Sequence, residues 1–246
     1  MPDPTPALPR GYRAAPATIQ DISGIHRLVS ACEREMHGQA RTDPGGVAAV
    51  FARPGLILEL DTLLIHDQAG RLAARAWVDR RSEVDVHPQH RGRGLGAALL
   101  DWAEARARRA GSEQIVQTVP DDHGDAVTLL RSRGYEPMVT EWLLQFAMPD
   151  EPTVLDLPET GEGYVEEVAV HRDHRDQGIA RLLLRHVFRA FHRQGRRTCT
   201  LATHSDTGAL ALYLRVGMTV RHSSTVYRKG LRPAEDVARN ADELSR

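Results

Sequence analysis

Two stretches of this sequence carry residue types that do chemistry only in combination. Val84-Asp85-Val86-His87-Pro88-Gln89-His90-Arg91-Gly92-Arg93-Gly94-Leu95-Gly96 is echoed by Val168-Ala169-Val170-His171-Arg172-Asp173-His174-Arg175-Asp176-Gln177-Gly178-Ile179-Ala180, at a constant offset of 84 residues. Each copy reads Arg-x-x-Gly-x-Gly/Ala directly after Val-x-Val. Glycines let the backbone take positive φ and approach a ligand closely. Successive amide N–H groups then converge at a helix start, where the helix dipole favours negative charge. A phosphate or pyrophosphate is the expected guest. The loop residues Arg91, Gly92, Arg93, Gly94, Leu95 and Gly96, and Arg175, Asp176, Gln177, Gly178, Ile179 and Ala180, are the candidate binders. Two familiar nucleotide motifs are excluded: neither copy holds the Lys of a Walker loop, and the spacing differs from the dinucleotide fingerprint.

The elements that must position these loops repeat as well. Leu99-Leu100 maps to Leu183-Leu184, Gly111 to Gly195, and Gly134 to Gly217 after a one-residue slip, which marks an internal duplication. In each copy a strand of alternating apolar residues leads into the Gly-rich turn. A helix follows, with Leu95, Leu99, Leu100 and Ala103 or Ile179, Leu182, Leu183 and Val187 on its apolar face. Gly111 and Gly195 stand at helix C-cap positions. Further strands follow over residues 115–119 and 199–202, then a short helix and a closing strand or strand pair. Strand-helix-strand in this order predicts a parallel pair with a right-handed crossover.

The copies differ upstream. Before its motif the first has a strand over residues 12–14 and a helix over 21–36, with Thr18 as N-cap and Asp21 three residues on. A shorter helix lies near 47–51, and a hairpin joins 62–66 to 72–78 through Gln68-Ala69-Gly70. Before the second motif stand only residues 147–162, Pro-rich and acidic, which read as linker. The chain is therefore divided into a Pro-rich tail (1–10), a complete unit (11–146), a linker (147–162), a half unit (163–230) and a charged tail (231–246).

The 246 residues carry 32 Lys+Arg against 33 Asp+Glu, so no basic footprint for nucleic acid or anionic membrane exists. Two cysteines, Cys32 and Cys199, exclude a disulfide framework; they read as small buried hydrophobes and suit a reducing cytoplasm. No signal segment or membrane span is predicted. The pairs His87/His90 and His171/His174 suggest metal ligands by spacing, but no Cys or Asp cluster accompanies them, and they read as polar loop residues with no metal.

On the Arg-x-x-Gly-x-Gly/Ala motifs, the chain resembles the GNAT superfamily of acyl-CoA-dependent N-acetyltransferases, with the first copy similar to the whole fold and the second to its later half. The tandem arrangement resembles that of mycothiol synthase-type proteins with one half deleted. The resemblance implies an α/β (α+β) fold, a mixed sheet flanked by helices. It implies that the loops bind the pyrophosphate of acetyl-CoA and that the strands through Val86 and Val170 pair with its pantetheine arm. Family members commonly use a Tyr four residues before the Gly that ends the last helix as general acid. Tyr213, before Gly217, matches it, whereas the first copy has Leu130 before Gly134 and lacks a donor there. Where the family often has Asn before this helix, this chain has His123 and Asp206.

Tyr164-Val165-Glu166-Glu167 resembles the strand whose Glu deprotonates the amine, making Glu166 the candidate base and placing Glu167 on the opposite face. The first copy offers Ser82 and Glu83 instead. The implied activity is acetyl transfer from acetyl-CoA to a primary amine of a small molecule by direct attack. A non-catalytic CoA-binding or regulatory role and protein acetylation are the alternatives. A half unit leaves an open strand edge and an uncovered helix face, which predicts completion against the first unit or a second chain, hence a homodimer.

Overall fold

The computed structural model describes residues 6–38, 40, 42–79, 81–148 and 161–231; the linker residues 149–160 and the tail beyond Leu231 lie outside them. Thr18 and Asp21 form a capping box that satisfies N–H groups at the entry to the first helix. The elements run β1 (Arg13–Ala15), α1 (Ile22–His37), α2 (Pro44–Phe51), α3 (Leu58–Asp61), β2 (Thr62–His66), β3 (Leu72–Val78), β4 (Ser82–Val86), α4 (Leu95–Arg109), β5 (Gln114–Pro120), α5 (Gly124–Ser132) and β6 (Glu136–Ala147). The second repeat contributes β7 (Gly163–Tyr164), α6 (Ile179–Arg193), β8 (Thr198–His204), α7 (Leu210–Arg215) and β9 (Thr219–Gly230).

The chain forms two compact units that cut across the repeats. The first comprises the described residues of Met1–Thr118, His123–Glu136 and Tyr227–Arg246; the second, Val119–Asp122 and Pro137–Val226. In the first unit β1 to β4 make a four-stranded antiparallel sheet in sequential order. The hairpin expected from the apolar alternation is present with its turn at Gln68–Gly70. Helix α1 packs on β3 and β4, as does α4, and Ala17, Ile25, Val47, Leu64 and Trp77 form one buried cluster.

The expected parallel pairing within each repeat is corrected in two ways. In the first, β4 and β5 are not neighbours. They touch through Ser82, whose Oγ donates to the Val116 carbonyl (2.8 Å) and accepts from Gln117 Nε2 (2.7 Å). β4 satisfies one edge against β3 and leaves the other open. In the second repeat, the strand expected across residues 163–170 reaches only Gly163–Tyr164, parallel to β8 at Gly163↔Cys199 and Tyr164↔Thr200. Beyond Val165, whose N–H donates to Thr200 O, residues 166–170 belong to no ladder. The reason is the absence of a β3 counterpart among the described residues, so nothing satisfies a second edge.

The last strands are exchanged between the repeats. In the second unit β6, the final strand of the first repeat, pairs antiparallel with β8 from Glu141↔His204 to Ala147↔Thr198. In the first unit the end of β9 runs beside β5, with the Leu231 N–H donating to Glu113 O at 2.7 Å. The second unit's core gathers Leu144, Met148, Val165, Leu184, Phe188, Cys199, Leu201, Tyr213 and Met218.

Candidate functional site

The first loop is built on positive φ. Gly92 (+70°) and Gly94 (+82°) take the left-handed conformation, and a Cβ at either would meet no atom within 4 Å. The cradle is therefore open on that side. Gly94 is the N-cap of α4, and its carbonyl accepts the first intrahelical bond from Ala98. The N–H groups of Leu95, Gly96 and Ala97 consequently have no acceptor within the helix. Gly96 serves a different need, because a Cβ there would stand 3.3 Å from Leu129 Cδ2; the position must be small for α4 to pass α5. Arg91 turns inward, its Nε donating to Val86 O (3.3 Å) while its guanidinium pairs with Glu35 of α1. That tie holds the strand end against the loop.

The second loop reproduces this backbone. Gly178 (φ +78°) caps α6, its carbonyl accepts from Leu182, and Arg175 Nε donates to Val170 O at 3.4 Å. His87 and His171 share a role as well: each Nδ1 accepts from the N–H two residues on, Gln89 and Asp173. One residue differs in kind. Asp176 holds φ +61°, the one non-glycine residue at positive φ among those described, where the first loop has Gly92. Asp tolerates this region better than most residues, and it adds a carboxylate to a concavity that suits anions.

Tyr213 lies on α7 with 8% of its surface exposed, packed in the second unit's core. Burial raises its pKa, so the phenol stays protonated at neutral pH. Its hydroxyl has no partner among the described residues yet is not sealed from solvent. Glu166 and Glu167 are exposed on the segment after β7, flanked by Val165, which is in the same core cluster as Tyr213, and by Val168, which packs against it. The first repeat arranges these positions otherwise: Leu130 is buried, Ser82 is tied to β5, and Glu83 pairs with Arg75 at 3.2 Å. Asp206 bonds His204, which lowers its pKa. Cys32 and Cys199 are buried, and desolvation pushes their thiols up to about 12 and about 11, so neither is a nucleophile.

One network was not signalled by the sequence. Tyr12 Oη lies 2.9 Å from His90 Nδ1 and accepts from Arg93 Nη1 at 3.0 Å, while His90 Nε2 stands 3.9 Å from Asp67. Desolvation, aided by Arg93, lowers the His90 pKa. These residues line a cavity of about 480 Å³ with Arg10 and Arg71. They come from the residues leading into β1, the β2–β3 turn and the first loop, so no local spacing could have announced them. Among the described residues no three His, Cys, Asp or Glu side chains gather as a metal site.

Family models match two stretches of the chain, each containing one of the loops. An acetyltransferase (GNAT) domain model matches residues 56–137 and an acetyltransferase (GNAT) family model residues 144–218. The aminoalkylphosphonate N-acetyltransferase of Salmonella typhimurium is 30% identical over 131 residues, 49% of this chain and 82% of that protein. Among solved structures, a GCN5-related N-acetyltransferase from Sphaerobacter thermophilus shares the fold over 92% of this chain and 98% of its own, with TM-score 0.72 at 24% identity. A tandem GNAT protein from the clavulanic acid biosynthesis pathway does so over 91% and 99%, with TM-score 0.63 at 15% identity. With two family matches in tandem, a relative covered over most of its length and the same motif folded twice, this chain belongs to the GNAT family of N-acetyltransferases.

Proposed function

We propose that the chain transfers an acetyl group from acetyl-CoA to a primary amine of a small molecule, and that the acid and base are Tyr213 and Glu166. The observation that carries the reading is the doubled loop, whose free N–H groups and open glycines suit a pyrophosphate. The relative named for aminoalkylphosphonates supports a small primary amine as acceptor. Glu166 takes a proton from the amine, whose lone pair attacks the thioester carbonyl. A strand amide polarises the carbonyl oxygen. As the C–N bond forms and the C–S bond breaks, Tyr213 gives its proton to the departing sulfur and recovers one from solvent. Burial keeps the phenol protonated, which the role requires.

Tyr213→Phe lowers turnover by about 10²–10⁴-fold, the usual worth of a positioned acid, while acetyl-CoA binding by calorimetry is retained. Turnover equal to the parent's across a panel of amines in a thiol-release assay overturns the assignment, and an absence of thiol release from the parent favours a non-catalytic CoA-binding protein. The two unpaired cysteines suit a cytoplasmic enzyme, and the uncovered half unit suits a homodimer.

A further inference from the structure

Among the described residues, the second repeat lacks what the first places over its own motif strand. β3 pairs antiparallel with β4 at Ala74↔Val86, Ala76↔Val84 and Val78↔Ser82, and α4 packs across both strands. Beneath that cover Ala98 and Leu99 are 8% and 0% exposed. Their repeat mates on α6, Leu182 and Leu183, are 65% and 45% exposed. The mate of buried Trp102 is exposed His186. Residues 166–170 pair with no strand among those described, and the two leucines are exposed on the helix that follows. Such an edge templates strand addition, and a contiguous apolar patch marks a docking surface.

The charges around it point to the occupant. Glu166 and Glu167 on the open segment, and Arg181, Arg185 and Arg189 on α6, are all exposed. None has an ion-pair partner among the described residues. The face thus carries acids on its strand and bases on its helix, and is complementary to itself. A twofold axis sets two identical edges antiparallel, the direction β3 takes against β4, and closes without leaving a further edge.

We propose that a second copy of this chain docks on this face, edge to edge along residues 166–170, with its Glu167 against Arg181 and Arg185 and the two α6 helices covering each other at Leu182 and Leu183. The partner strand occupies the place β3 holds in the first repeat. It leaves the inner edge of the segment, toward β8, free for an acyl-CoA. This inference rests on the reading that the second repeat holds the acid and base, since it supplies the wall that half unit lacks.

Sedimentation equilibrium of the full chain at tens of micromolar reads the association directly and needs no activity. The expected mass is twice the 27.3 kDa of the chain. Leu182→Glu with Leu183→Glu halves it at unchanged far-UV circular dichroism, because both side chains are already outside the core. Arg181→Glu with Arg185→Glu weakens association at least tenfold, and adding Glu167→Arg restores it. A monomeric parent, as when another segment of the same chain covers the face, overturns the proposal. So does a dimer that survives the leucine variant, or a failure of the reversed charges to rescue. A dimer without thiol release overturns only the catalytic reading.

Discussion

Glu104 on α4 and Phe188 on α6 are repeat mates, buried to 4% and 5% exposure, and they solve one packing problem in two chemistries. Glu104 accepts from Lys229 at 2.7 Å, the single lysine in the sequence, and from Arg108 at 3.2 Å. Phe188 stacks on Phe146 with ring centroids 4.2 Å apart. Lys229 comes from β9 and Phe146 from β6, so each central helix is met at the same position by the last strand of the other repeat. One exchange is held by a partly exposed lysine on a buried carboxylate and the other by an aromatic pair. The lesson is that duplication conserved the place of the contact and not its physics. A charge pair is demanding about its partner and an aromatic pair is tolerant, because a lone buried carboxylate cannot be desolvated cheaply.

The largest expected effect breaks that pair. Lys229→Met takes the shorter of two cation contacts from Glu104 and leaves Arg108 at 3.2 Å, beside the already unpartnered Oε1 and the buried Tyr135 hydroxyl, and costs about 3 kcal/mol in urea unfolding, the lower end for removal of one member of a buried pair. Making the first repeat apolar like the second, with Glu104→Leu added, recovers most of the loss. A Lys229→Met protein as stable as the parent ends the comparison.

Slightly smaller is the contrast between helix faces. Leu99→Ala costs about 2–5 kcal/mol as a core truncation. Leu183→Ala, at the mate position, costs less than about 0.5 kcal/mol in dilute monomeric protein. Equal costs would mean that the second face is covered even in the monomer.

The loops differ by one carboxylate, and exchanging it sharpens the comparison on binding. Gly92→Asp fits a backbone that Asp176 already adopts, and it weakens acetyl-CoA binding at the first loop by about tenfold or more, or ~1.4 kcal/mol for each factor of ten. Asp176→Gly tightens binding at the second loop. Calorimetry of the two variants beside the parent reads both, and opposite signs sink the idea that Asp176 opposes the anion.

The smallest effect is in pH. Burial and Arg93 lower the pKa of His90, so the unfolded chain binds that proton more readily than the folded one. The contribution is complete above the unfolded value of about 6.5 and is lost as pH falls below it. The melting temperature of the parent therefore drops more steeply between pH 7 and 5 than that of His90→Asn. Parallel slopes would remove His90 from the account.

Local signals were legible wherever a short segment decides its own geometry. The Thr18–Asp21 capping box, the hairpin over β2 and β3, the glycines after α4 and α6, and both Gly-rich loops follow from residues within a few positions of one another. The Tyr12–His90–Asp67 contacts, the Lys229 clamp and the tie from Ser82 to β5 were not legible. Their partners are 23 to 125 residues apart in sequence, and no periodicity encodes which distant strand arrives.

By itself the sequence determined the duplication, the family and the asymmetry of Tyr213 against Leu130, because motif spacing and local backbone preference are properties of contiguous residues. Only the tertiary structure decided that β6 and β9 cross to the other repeat, that β4 and β5 part, and that residues 166–170 pair with no strand among the described residues. Those outcomes turn on which edges find hydrogen-bond partners and which apolar faces find cover, and that competition is settled among elements far apart in the chain.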